Sequence, residues 1–152
     1  MGYIEDIRAQ VGHAPIILTF AGGILVDDQN RVLMQKRSDF SGWGLFGGAM
    51  EYGETAEQAC KREFREECGI DVAIDRLFGV STNNIQHYQN GDVAQAVVIT
   101  FIVHQVGGQL AIASDETSDF AFFAENELPP IFTDQHARAI HNYYAGMTTF
   151  YE

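Results

Sequence analysis

Three glutamates, Glu63, Glu66 and Glu67, stand at positions i, i+3 and i+4 of one short segment. At about 100° per residue, with Glu63 at zero, Glu66 falls near ~300° and Glu67 near ~40°. Ala56, Ala59, Cys60, Phe64 and Cys68 span about 320–140° on the same wheel, whereas Gln58, Lys61 and Arg65 lie at roughly 160–220°. The carboxylates therefore overlap the stripe that faces the protein and stand away from the solvent side. That placement is unfavourable in three ways. Like charges at i, i+4 cost a few tenths of a kcal/mol. Negative charge in the last turns opposes the helix dipole by roughly 0.3–1 kcal/mol. Partly burying unpaired carboxylates costs more than either. A divalent cation removes all three costs together, and carboxylate oxygens supplemented by retained waters are what magnesium prefers. The alternative is a solvated acidic patch paired with nearby Lys and Arg.

A helix must hold these groups, and the sequence specifies both of its ends. Thr55-Ala-Glu-Gln58 fits a capping box, and Gly69-Ile70 fits a glycine stop followed by an apolar residue that folds back. The preceding stretch, Ser38 to Gly53, is read as a glycine-rich loop, in which Gly47-Gly48 lets backbone approach a metal or phosphate closely. Around this unit, residues 3–10 form a short leading helix. Ile16 to Val26 forms a strand bent at Gly22-Gly23. A turn at Asp27–Asn30 and a strand from Arg31 to Arg37 complete a hairpin. Val72–Val80 and Val93–Val106 are further strands, separated by a polar segment containing Asn83, Asn84, Asn90 and Gly91. Phe120–Ala124 is a short strand. After Pro129-Pro130, Thr133 or Asp134 caps a last helix through Tyr144. This pattern makes an α/β sandwich with a sheet that is not purely parallel.

Composition limits the function classes. The 152 residues are enough for one domain, 1–152, with a core of its own. No apolar run is long enough to span a membrane, and the N-terminal residues, with acids near the start, do not read as a secretion signal. A net charge of −12 opposes a nucleic-acid-coating role. It leaves room for a small phosphorylated substrate, because a metal inverts the local field. Cys60 and Cys68, eight positions apart on one helix, are roughly 12 Å apart and cannot bridge. Reduced thiols suit a cytoplasmic protein.

From Gly48 the chain reads GAMEYGETAEQACKREFREECGI. This resembles the Nudix box, G-x5-E-x7-R-E-U-x-E-E-x-G-U with U a bulky apolar residue, at every specified position: Gly48, Glu54, Arg62, Glu63, Phe64, Glu66, Glu67, Gly69 and Ile70. The hairpin, Trp43-Gly-Leu, the glycine pair and the tail from Phe122 to Pro129 are similar to small bacterial Nudix hydrolases. Phe46 stands where that group often has proline. The resemblance implies a Nudix fold, an α/β/α sandwich with a central mixed β-sheet. It implies magnesium, with manganese as a substitute, held by Glu66 and Glu67, with Glu63 as a further ligand or the general base, and by the Gly48 carbonyl. Arg62 and Glu54 would pair to hold helix and loop in register. A carboxylate outside the box commonly assists; Asp115 and Glu116 are the candidates, Glu116 preferred. The implied activity is hydrolysis of a nucleoside diphosphate linked to another group, by attack of an activated water on phosphorus. A catalytically silent nucleotide sensor and a hydrolase of a non-nucleotide diphosphate are the competing readings. A homodimer follows by resemblance alone.

For the rest of the substrate, Trp43, Phe40 and Phe20 could stack on a base, although aromatics near a sheet pack in cores more often than not. Asn83, Asn84, His87 and Tyr88 could touch base or sugar. A proline about fifteen positions after the box, frequent in ADP-ribose hydrolases, is absent, since Ile85-Gln86 stands there; Tyr88 fits loosely the tyrosine frequent in dinucleoside polyphosphate hydrolases. His13, His104, His136 and His141 show no metal-site spacing and read as surface or core residues.

Overall fold

The computed structural model describes residues 2–38, 42–112, 115 and 117–152. The order of elements is α1 (Tyr3–Val11), β1 (Ile16–Leu25), β2 (Val32–Arg37), β3 (Trp43–Gly44), β4 (Phe46–Ala49), α2 (Ala56–Cys68), β5 (Ile70–His87), β6 (Val93–Gly108), β7 (Thr117–Phe123), a 3-10 turn at Glu125–Glu127, α3 (Asp134–Tyr144) and β8 (Phe150–Tyr151). A five-stranded mixed sheet runs β4-β1-β6-β5-β8, and a three-stranded sheet runs β3-β2-β7. β6 is central, and β1 beside it is parallel to β6 on one edge and antiparallel to β4 on the other.

Alternation along β1 divides the interior in two. Ala21 and Leu25 face α2, joining Phe46, Cys60, Phe64, Cys68 and Ile70 in one core. Ile24 belongs to the other, with Met34, Leu45, Phe78, Ile102, Ala139, Ile140 and Phe150, against α3. The sheet is thus covered by α2 on one side and α3 on the other, the layered α/β arrangement expected.

Several sequence expectations need correction. β1 and β2 do not form a hairpin. The Asp27–Asn30 turn exists, with Asp27 Oδ1 accepting from the N–H groups of Gln29 and Arg31. Pairing ends at a single Val26–Val32 bridge, because β4 and β6 already occupy both edges of β1. Gly22-Gly23 does not interrupt the strand, which pairs with β6 in unbroken register from Ile16 to Leu25. These glycines permit close approach: a Cβ at Gly22 would collide with the Phe46 carbonyl, and one at Gly23 would press on Val103 and the Phe64 ring. The glycine-rich loop contains β3 and β4, and the polar segment after Val80 remains strand to His87, accommodated by register shifts. The strand expected at Phe120–Ala124 begins earlier, at Thr117, and ends at Phe123, and β8 has no counterpart in the sequence reading.

Candidate functional site

α2 begins and ends as its sequence specifies. Thr55 Oγ1 accepts from Gln58 N–H at 3.1 Å and Gln58 Oε1 accepts from Thr55 N–H at 2.9 Å. Gly69 closes the helix in the left-handed region at φ 77°. This fixes the rotation of α2, so that Ala59, Cys60, Phe64, Glu67 and Cys68 are buried. Glu67 is 2% exposed. The Glu63 side chain is also largely covered, but Glu66 is 57% exposed at its side chain. The three carboxylates therefore do not share one buried face. At about 300° on the wheel Glu66 lies just outside the apolar stripe, at its rim.

Arg62 organises the near end. Its Nε donates to Glu54 Oε2 at 2.7 Å and its Nη2 to Glu54 Oε1 at 3.0 Å. Nη2 also reaches the Ala49 carbonyl at 3.0 Å, while Nη1 reaches Glu63 Oε1 at 2.8 Å and Glu66 Oε2 at 3.1 Å. The pairing expected of Arg62 and Glu54 is thus present, and it ties α2 to the strand end before it. The fork geometry of a guanidinium suits this bidentate grip. Glu54 is held below the usual carboxylate range chiefly by its hydrogen bonds from Arg62.

Glu67 is held from the other side. Gly47 N–H donates to its Oε1 at 3.1 Å, and Gln35 Nε2 donates to its Oε2. Gln35, itself fully buried, accepts at Oε1 from the Thr117 hydroxyl. Burial pushes the Glu67 carboxyl up to about 8 against these hydrogen bonds, and the Glu63 charge adds to the effect. Burial also raises Glu63, opposed by Arg62 and reinforced by Glu66. Two desolvated carboxylates thus lie side by side with no full compensating charge for Glu67. Gly48 shares the spot, since a Cβ there would run into the Glu63 carboxylate. The Gly48 backbone and the Glu63 carboxylate thus approach more closely than any residue with a Cβ would allow. Oxygen donors, partial burial and excess negative charge suit a hard divalent cation. Among the described residues no three His, Cys, Asp or Glu side chains converge on a single point as a closed cage, because Arg62 engages Glu63 and Glu66.

Of these carboxylates Glu63 borders a cleft of about 350 Å³ on the α3 side of the large sheet. Gly47, Gly48 and Glu63 form one end; Asn84, Gln86 and Tyr88 of β5 and Gln135 and His136 of α3 line the rest. Arg37, with its guanidinium 5.1 Å from the centre of the Phe132 ring, brings positive charge to the lining. Of the expected substrate-binding residues, Tyr88 and Phe20 line the cleft and Trp43 does not. Trp43 packs edge-to-face on Phe123, ring centres 4.9 Å apart, because β3 turns it into the core beneath α3. Asn84 lines the cleft, whereas Asn83 accepts from Arg138. Phe40 and Glu116 lie outside the described residues. Asp115 contributes its backbone carbonyl to the Ser38 hydroxyl.

Four site residues escaped the sequence reading: Gln35, Arg37, Gln135 and His136. Gln35 carried a signal, a lone amide inside the apolar run Val32-Leu33-Met34. His136, read as a surface or core residue, instead faces the cleft from the first turn of α3, a position that only the tertiary arrangement reveals.

Comparison with known proteins gives a consistent result. The profile of the NUDIX domain matches residues 19–143. An ADP-ribose pyrophosphatase of Methanocaldococcus jannaschii is 33% identical over 122 residues, covering 78% of this chain and 69% of that protein. A Bacillus subtilis protein named as an 8-oxo-dGTP diphosphatase is 28% identical over 127 residues, 81% of this chain and 77% of its own length. Among solved structures, a mutator MutT protein from Bacillus halodurans superposes with a TM-score of 0.70 at 24% identity, over 89% of this chain and 87% of that one.

Proposed function

The chain belongs to the NUDIX domain family and is a Nudix hydrolase, and from that premise we propose that it cleaves the diphosphate of a nucleoside derivative with the help of magnesium. The observation that carries this reading is the pair of largely buried carboxylates, Glu63 and Glu67, of which Glu63 lines one end of a cleft large enough for an organic group. Nucleotide substrates appear in the names of both relatives, which supports the nucleoside part.

Glu66, Glu67 and the Gly48 carbonyl would hold the ion, with Glu63 as a further ligand or as the base. Bound there, a divalent cation neutralises diphosphate charge and makes a water molecule nucleophilic near neutral pH. The chain's own residues do the rest. Gln35 and Gly47 N–H keep Glu67 in one rotamer, and Arg62 locks α2 to Glu54 and Ala49. Glu63 has one oxygen held by Arg62, and burial raises its proton affinity, which suits it to take a proton from an attacking water. Arg37 adds positive charge toward a phosphate in the cleft.

The test is incubation of purified protein with magnesium and a panel of nucleoside triphosphates, oxidised nucleotides, ADP-ribose, nucleotide sugars and dinucleoside polyphosphates. Mass spectrometry should show products split at a diphosphate. Binding without any turnover across the panel would refute the reading.

A further inference from the structure

The wall of the cleft opposite the carboxylates holds two polar groups that the hydrolytic chemistry leaves unused. Gln135 is 4% exposed and stands second in α3. Its Nε2 donates to the Ala96 carbonyl at 3.1 Å, to Ser81 Oγ at 2.9 Å and to the Ser81 carbonyl at 3.4 Å. Carbonyls only accept, so the amide orientation is fixed and Oε1 is the end left over. Oε1 has no partner among the described residues, yet it is not sealed from solvent. Gln135 lines the cleft, and the opening for that oxygen is the cleft.

His136 follows the same logic. Leu45 N–H donates to its Nδ1 at 3.0 Å, so Nδ1 carries a lone pair and the neutral ring bears its proton on Nε2. Gly44 makes this contact possible, because a Cβ there would collide with both Phe132 and the His136 ring. Burial, reinforced by the Arg37 charge, lowers the ring to about 3, which agrees with the geometric assignment. Nε2–H likewise has no partner among the described residues and is not sealed. Consecutive residues thus present an acceptor and a neutral donor side by side in a wall shared with the apolar Phe20, Leu45, Ala96, Val98, Phe132 and Ala139, while Asn84, Gln86, Tyr88, Thr100 and Arg37 line the rest of the cleft.

An acceptor and a donor side by side among apolar groups fit a flat, uncharged heterocycle whose edge carries an N–H beside a carbonyl or ring nitrogen. They do not fit an isoprenoid tail, which would leave both polar groups unpaired. We infer that Gln135 and His136 are specificity-determining residues that read the edge of a nucleobase. This deepens the nucleotide reading above and rests on it.

The first readout is binding, independent of turnover: titration calorimetry of the protein with AMP, GMP, CMP, UMP and ribose 5-phosphate. At least one nucleoside monophosphate should bind tenfold or more tighter than ribose 5-phosphate. His136→Phe, which keeps a ring in the slot, and Gln135→Met, which keeps length, should each reduce that ratio by about tenfold or more. For a nucleoside triphosphate against the abasic ribose triphosphate, the kcat/KM ratio should fall in parallel. Each variant's melting curve identifies misfolding, and His136→Phe carries the test where Gln135→Met fails to fold. Equal binding of ribose 5-phosphate and all four nucleotides by wild type, or an unchanged ratio in folded variants, overturns the inference. Base-dependent binding without hydrolysis would instead overturn the hydrolase reading and leave this one standing.

Discussion

Replacing Glu67 by glutamine should separate stability from activity. The carboxylate is 2% exposed and accepts from Gly47 N–H and Gln35 Nε2. Charge-assisted hydrogen bonds contribute about 1.5–3 kcal/mol each and neutral ones about 0.5–1.5 kcal/mol, so the substitution weakens two contacts by roughly 1 kcal/mol apiece. Against this, burying an ionised group costs several kcal/mol even after relaxation. The new amide keeps its oxygen toward Gly47 and turns its NH2 toward Gln35. Gln35 answers by flipping, so that its oxygen accepts, and the Thr117 hydroxyl rotates to accept from the displaced NH2, at the loss of the long 3.4 Å donation from Gln35 Nε2 to the Leu45 carbonyl. In metal-free buffer at pH 8 the variant should therefore be at least as stable as wild type, within about 1 kcal/mol by urea denaturation. Its magnesium-dependent rate should fall by at least about 100-fold, equivalent to roughly 2.7 kcal/mol of lost transition-state stabilisation. A stability loss above about 2 kcal/mol, together with more than half the wild-type rate, would refute the reasoning, since Glu67 would then be a structural acid.

Further outcomes follow from the same geometry. Glu67 has a folded-state pKa near 8 against 4.5 for the exposed group, so between these values the folded protein binds more protons than the unfolded chain. Metal-free stability should therefore decline as pH rises from about 5 to 8, and added magnesium should raise Tm more at pH 8 than at pH 6; a flat profile in calorimetry contradicts the assignment. Gln35→Leu removes the amide that fixes Glu67, and kcat should drop about 10–100-fold with magnesium affinity reduced in parallel, as measured by metal titration of the rate. Gly48→Ala places a methyl group against the Glu63 carboxylate; activity should be lost while circular dichroism stays native, and retention of full activity would remove Gly48 from the site. Cys60 and Cys68 are buried, with thiols pushed up to about 12 and 11 by burial. Neither should react with a thiol-specific disulfide reagent until the chain unfolds, and rapid native labelling would show the helix face to be misassigned.

The central helix was legible in the sequence because its signals are local: a capping box, a glycine stop and the placement of polar and apolar residues at helical spacing all lie within one segment. The same holds for the Asp27 turn and for Thr133, which caps α3 through the His136 N–H. Strand partners were not legible. Nothing within residues 16–37 says that β4 and β6 will take both edges of β1, so two β-like runs joined by a turn looked like a hairpin. Glu66 illustrates a finer limit, since a helical wheel gives an angle but not the width of the neighbouring surface. Trp43 went to the core because a two-residue strand, too short to show periodicity, sets its direction. Gln135 and His136 reach the cleft only after α3 is laid across β5 and β6, an arrangement formed by residues far apart in the chain.

The central claim is tested most directly by hydrolysis of the nucleotide panel in magnesium, with the Glu66→Gln, Glu67→Gln double variant run beside wild type. Wild type should split at least one nucleoside diphosphate derivative at the diphosphate, and the folded double variant should be silent. Equal turnover by the two proteins would contradict the placement of the chemistry on α2.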